Sequence, residues 1–136
     1  LLLTDSRRKW YSQYILSHIN DPANERPFLP IYNLDTLFPH LDRFERNQDI
    51  DLLEDMLSIS YPQGYFIWYI GEGNYPYAKF AFRDDGNFLW LVDEQLPGSF
   101  YLSGSDSLLD IKLLQLYKLF NKTIEATLFG EIDIEE

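Results

Sequence analysis

The run from Ser105 to Phe129 carries more apolar side chains than the single buried face of a helix in a small domain can hide. Leu109, Leu113, Leu116, Phe120 and Ile124 follow the i, i+4, i+7 spacing of one stripe, whereas Leu108, Ile111, Leu114, Tyr117, Leu119 and Leu128 lie mostly outside it. A helix that is apolar nearly all round is buried nearly all round. At a rise of about 1.5 Å per residue this one would be roughly 35 Å long, as long as a small domain is wide. One stripe is therefore expected to pack on the chain's own core and the remainder on another copy, with Leu108, Ile111, Leu114 and Tyr117 as the candidate oligomer interface. The alternative, in which the rest of the fold wraps the helix, stays open at this point.

A chain of 136 residues with 46% hydrophobic and 17% aromatic content is long and apolar enough for one compact α/β domain spanning residues 1–136. It opens inside the apolar run Leu1-Leu2-Leu3 without a Met, so an upstream segment, an N-terminal helix, is expected to lie outside this numbering. With no cysteine there are no thiolate metal sites, disulfides or cysteine nucleophiles, which fits a reducing compartment. No stretch is apolar for long enough to span a membrane as a helix, and a cytoplasmic location is expected.

The net charge of -11 narrows the partners. Gripping phosphates requires clustered Lys and Arg to displace counterions, and the one basic cluster, Arg7-Arg8-Lys9, sits beside Asp5. Direct nucleic-acid binding is not expected; a basic or mixed-charge protein partner fits better.

The apolar pattern alternates between short β-type runs and helical ones. Leu1 to Leu3 reads as the end of a strand, and Thr4, Asp5 or Ser6 can cap a helix reaching about Ile19 with Trp10, Tyr14 and Ile15 inward. Phe28 to Leu34 is a strand candidate, Ile50 to Ser58 a helix, and Tyr65 to Ile70 and Phe88 to Val92 are buried strands by their aromatic and β-branched content. A last short strand falls at Phe100 to Leu102, before a helix capped by Ser105, Asp106 or Ser107 and ended by Gly130. Tyr75 to Phe82 fits either a strand feeding an Asp-Gly hairpin or a short helix, and the helical crossover demanded by parallel strands favours the helix. Trp10, Tyr14, Trp68 and Trp90 are assigned to the core.

Nothing in the sequence marks a catalytic, cofactor-binding or metal site. His18 falls near a helix end and His40 in a linker, with no metal spacing between them. Asp49/Asp51 and Asp84/Asp85 lack the alternation and closing Glu of a calcium loop and read as caps and turns. No Gly-x-Ser-x-Gly elbow surrounds any serine.

The block Asn24-Glu25-Arg26-Pro27-Phe28-Leu29-Pro30 resembles the HobA family, as does Thr4-Asp5-Ser6 with Trp10 and Tyr14-Ile15-Leu16-Ser17. The resemblance is strongest at Ser105-Asp106-Ser107-Leu108-Leu109-Asp110 with Lys112-Leu113-Leu114-Gln115-Leu116. The Glu25-Arg26-Pro27, Leu29-Pro30 and Thr127-Leu128-Phe129 positions are also similar to DiaA and the sugar isomerases. The resemblance implies a three-layer α/β/α sandwich of sugar-isomerase or flavodoxin-like type with a mainly parallel, about five-stranded sheet. It further implies a homotetramer, a dimer of dimers, that binds the N-terminal domain of the replication initiator DnaA and promotes its assembly at the origin without enzymatic chemistry or a cofactor. By similarity to DiaA, Leu128 and Phe129 are candidates for the DnaA contact. Tyr75 and Tyr77 are further candidates because tyrosines combine apolar area with a polar tip.

A sugar-phosphate-binding protein or phosphosugar isomerase is the alternative within that fold. Such enzymes wrap phosphate with a Gly- and Ser-rich turn after the first strand. Here the turn reads Thr4-Asp5-Ser6-Arg7-Arg8, without glycine and with a carboxylate where the phosphate would sit. Only a relic anion site at Thr4 to Ser6 is left open, and a capping role for Ser6 is favoured.

Overall fold

The computed structural model describes residues 1–84 and 86–128. The chain runs β1 (Leu2–Thr4), α1 (Lys9–Ile19), α2 (Leu34–Leu37), α3 (Asn47–Ser60), β2 (Trp68–Glu72), α4 (Ala78–Phe82), β3 (Phe88–Val92), β4 (Phe100–Leu102) and α5 (Leu109–Leu128), with 3-10 turns at Ser6–Arg8, Pro22–Asn24 and Leu41–Arg43. The four strands form one sheet in the order β1-β2-β3-β4. Every pairing is parallel, with Leu2 opposite Trp68, Trp68 opposite Phe88 and Trp90 opposite Phe100.

The pleat sorts the strand residues into two cores. Leu3, Tyr69, Leu89 and Leu91 pack with Leu34 of α2, Ile50, Leu53 and Leu57 of α3, and Ala78, Phe80 and Ala81 of α4. Leu2, Trp68, Ile70, Trp90, Val92 and Leu102 pack with Tyr11, Ile15 and Ile19 of α1 and Leu109, Leu113 and Tyr117 of α5. A sheet covered on both faces needs unbroken apolar strands, which is why Trp68 to Ile70 and Leu89 to Val92 show no polar alternation. Each such Leu, Ile or Val contributes about 1.5–3 kcal/mol on leaving water.

Helices α1 and α5 are also joined by polar bonds. The Tyr11 hydroxyl donates to the Leu113 carbonyl oxygen at 2.5 Å. Toward the other end of both helices, Nη2 of Arg26 donates to the Ile19 carbonyl oxygen at 2.8 Å and to Oδ1 of Asn121 at 2.6 Å, while Nη1 reaches Glu125 at 3.3 Å.

Several expectations from the sequence are corrected. The described residues form four strands, not five, because Phe28 to Leu34 makes only a single bridge, Asn33 to Leu2. Pro30 in that stretch lacks the N–H a ladder needs, the Leu29 N–H is taken by Oδ1 of Asn20, and the Ile31 N–H turns back to the Leu29 carbonyl. The second strand begins at Trp68 and runs on to Glu72, since the Ile67 N–H is claimed by Oδ1 of Asn87. Helix α3 starts at Asn47, where the Asp49 carboxylate accepts from the N–H groups of Glu45 and Arg46 and holds the first turn. The ambiguous segment is a helix, α4, as a parallel β2–β3 pair requires. In α1 the inward residues are Tyr11, Ile15 and Ile19; Trp10 is exposed and Tyr14 half-buried, so of the four aromatic residues assigned to the core only Trp68 and Trp90 are fully inside.

Candidate functional site

In a parallel sheet, ligands are received at the carboxyl ends of the strands, where the turns and N-termini of the following helices present free backbone N–H groups. At that end of this sheet lies a side chain of the chain itself. Asp5 directly follows β1 and is 1% exposed. Its Oδ1 accepts from the Arg8 N–H at 3.0 Å; its Oδ2 accepts from Nη1 of Arg8 at 2.9 Å and from the Glu72 N–H at 2.8 Å. Asp5, not Ser6, caps the turn that leads into α1, and Ser6 is exposed. Around this ion pair the Tyr69 hydroxyl donates to the Glu72 carbonyl at 2.7 Å and the Tyr77 hydroxyl to the Thr4 carbonyl at 2.8 Å. Burial pushes both phenols above the usual tyrosine range, reinforced by the Asp5 carboxylate at Tyr69 and chiefly by Asp35 at Tyr77.

The remaining titratable candidates serve structure. Nδ1 of His18 lies 2.7 Å from the Tyr14 carbonyl oxygen on an exposed helix end. His40 immediately precedes the turn Leu41–Arg43. The hydrogen bonds that Asp49 accepts from backbone N–H groups hold its carboxyl below the usual range. Asp51 pairs with Arg83 at 2.6 Å, and Asp84 accepts from the Gly86 N–H at 2.8 Å; Asp85 lies outside the described residues. Among the described residues no three His, Asp or Glu side chains gather as a metal site would require.

The candidate contact residues divide sharply by position. Leu108, just before α5, is 52% exposed and Ile111 on the helix is 53% exposed; Leu119, further along the helix, is exposed too. Leu114 is half-buried. Tyr117 is 5% exposed, with its ring 5.4 Å from that of Tyr14, so it belongs to the inner face and not to the outward one expected for it. Leu128 is 44% exposed at the end of the helix, and Phe129 lies outside the described residues. Tyr77 is 2% exposed, a correction to its reading as a contact residue, because its hydroxyl is drawn inward to Thr4. Tyr75 is half-buried with its ring 4.8 Å from that of Tyr77.

The family model of HobA, described as a DNA replication regulator, matches residues 1–134. The chain belongs to the HobA family. It is 31% identical over 138 residues to the DNA replication regulator protein HobA of Helicobacter pylori, the match covering 98% of this chain and 72% of that one. The crystal structure of a HobA–DnaA (domain I-II) complex from Helicobacter pylori is similar at a TM-score of 0.80 with 32% identity, over 98% of this chain and 72% of that chain. A crystal structure of Helicobacter pylori HobA gives a TM-score of 0.81 with 29% identity and the same coverage.

In this HobA-family chain the strand ends are filled from within, while apolar surface is left on the outside. Beside the exposed leucines of α5, sequence reasoning missed Phe100 and Tyr101 as surface residues. They lie on β4, the last strand of the sheet, and with Leu116 and Leu119 they line a groove of about 520 Å³. A larger groove of about 800 Å³ runs past Leu29, Ile31, Phe66, Phe120 and Ile124. The signal for both was present as aromatic residues at the starts of strands, but a periodicity that marks a buried strand does not tell its covered middle from its exposed entry.

Proposed function

We propose that this chain is a non-enzymatic regulator of chromosomal replication initiation that binds the N-terminal domain of DnaA and, as a homotetramer built as a dimer of dimers, gathers several DnaA molecules for assembly at the origin. The observation that carries this reading is the crystal structure of a related HobA with DnaA (domain I-II), whose HobA chain this one matches over 98% of its length. Acidity supports it, since a chain of net charge -11 leaves DNA contact to its partner. The finer fold reading is the sugar-isomerase type of three-layer sandwich. The outward side of α5 at Ile111 and Leu114, with Leu108 just before it, is assigned to self-association, and Leu128 with Phe129 to the initiator.

Joining copies matters physically because tethering several weakly self-associating molecules raises their local concentration, and apparent affinity rises by roughly 10²–10⁴ without a new contact to DNA. The deciding experiment is light scattering on the purified protein alone and mixed with the DnaA domain I–II fragment of the same organism. A tetramer that shifts to a heavier complex is expected. A monomer whose mass is unchanged by the fragment would remove the reading. Phosphosugar binding is opposed by the Asp5 carboxylate, and sugar phosphates are expected to leave the melting temperature where it is.

A further inference from the structure

Three hydrogen-bond donors from two separate stretches of chain converge on one carboxylate at the ends of β1 and β2. They are the Arg8 N–H, the Arg8 guanidinium and the Glu72 N–H, at 3.0, 2.9 and 2.8 Å from the oxygens of Asp5. The Arg8 side chain is itself buried, and its next carboxylate, Glu72, is 3.9 Å away, so Asp5 is its principal anion. The room for this group is kept by a glycine: a Cβ on Gly71 would lie 2.7 Å from Cγ of Asp5. A buried cation, two backbone donors and a gap left by a missing side chain make an oxyanion site, at the strand ends where open α/β sheets receive ligands.

We infer that Asp5 is an internal ligand, occupying a preformed oxyanion site that accepts a small free monocarboxylate once this side chain is removed. In the native chain the site is permanently filled. The inference rests on the geometry around Asp5 and is independent of the DnaA reading.

Chemical rescue tests it. Asp5→Ala leaves Arg8 facing a carboxylate-sized space with only the more distant Glu72, 3.9 Å away, as an anion, and is expected to melt on the order of 10 °C below the native protein. Sodium formate at tens of millimolar should restore at least half of that loss, where sodium chloride of equal ionic strength does not. The native protein and Asp5→Asn, whose amide fills the same space, should show no such selective gain. Should Asp5→Ala fail to fold unaided, recovery from urea with and without formate becomes the readout, and formate-dependent recovery is the expected result. An Asp5→Ala protein whose melting or recovery responds to formate no more than to chloride overturns the inference. An equal formate gain in the native protein or in Asp5→Asn overturns it as well.

Discussion

The Tyr77 hydroxyl donates to the carbonyl oxygen of Thr4 at 2.8 Å, tying the start of α4 to the end of β1 across the rim of the sheet. Removing only that hydroxyl, in Tyr77→Phe, leaves a buried carbonyl without this donor and should cost about 1–2 kcal/mol in urea unfolding. Tyr77→Ala also empties ring volume from the core and should cost about 3–5 kcal/mol. Because the ring is buried, Tyr77→Phe is expected to retain the DnaA fragment as well as the native protein does. Loss of binding in a folded Tyr77→Phe would return this residue to the partner surface.

Alkaline pH should unfold the protein through the same group of rings. Burial, the largest cause, lifts the phenols of Tyr11, Tyr69 and Tyr77 above their ordinary value, with Tyr14 adding to the first, Asp5 to the second and Asp35 to the third. In the unfolded chain these groups lose their protons near pH 10, while in the folded chain they keep them. Stability is therefore fully present below about pH 10 and falls above it, by about 1.4 kcal/mol per pH unit for each such tyrosine. Urea midpoints on either side of pH 10 should drop accordingly, and the drop should be smaller for Tyr77→Phe.

Much of this was readable in the letters because it depended on local pattern. Trp68 to Ile70 and Phe88 to Val92 are strands whatever surrounds them, and the stripe Leu109, Leu113 faces inward as its spacing requires. Tyr117, read as lying outside the stripe, falls four residues after Leu113 and three before Phe120, so the same spacing turns it inward against Tyr14 of α1. What else failed depended on where a neighbour lies. Tyr77 sits in a stretch rich in turn residues, and only the approach of Thr4 from the far end of the chain draws it into the core. Phe28 to Leu34 has the apolar content of a strand, but its backbone donors are spent on Asn20 and on itself. The Asp5 carboxylate was legible as a negative charge in the turn, whereas its third donor, the N–H of Glu72, is a fact of sheet register.

Arg26 shows how much a single side chain can hold. Its guanidinium is buried, and it joins the last turn of α1 to the second half of α5 through Ile19, Asn121 and Glu125. Arg26→Ala should lower stability by about 2–4 kcal/mol, since Asn121 and the Ile19 carbonyl lose a charged donor. Arg26→Lys is expected to recover less than half of that, because one ammonium cannot reproduce the planar fork that reaches three acceptors on two helices. Thermal melts of the two variants against the native protein decide it.

The two sides of α5 are expected to separate self-association from folding. Ile111 is 53% exposed and Tyr117 is 5% exposed on the same helix. Ile111→Glu puts a charge on a surface position, so the stability of the single chain should change by no more than about 0.5 kcal/mol. At a subunit contact, however, a desolvated unpaired carboxylate costs several kcal/mol, and the mass by light scattering should fall. Tyr117→Ala should do the reverse at the level of the fold: it opens space against Tyr14 and lowers monomer stability by about 3–5 kcal/mol. If Ile111→Glu and a companion Leu108→Glu both keep the native mass, the apolar outer side of this helix is not where copies meet, and the groove beside Phe100 and Tyr101 becomes the next surface to substitute.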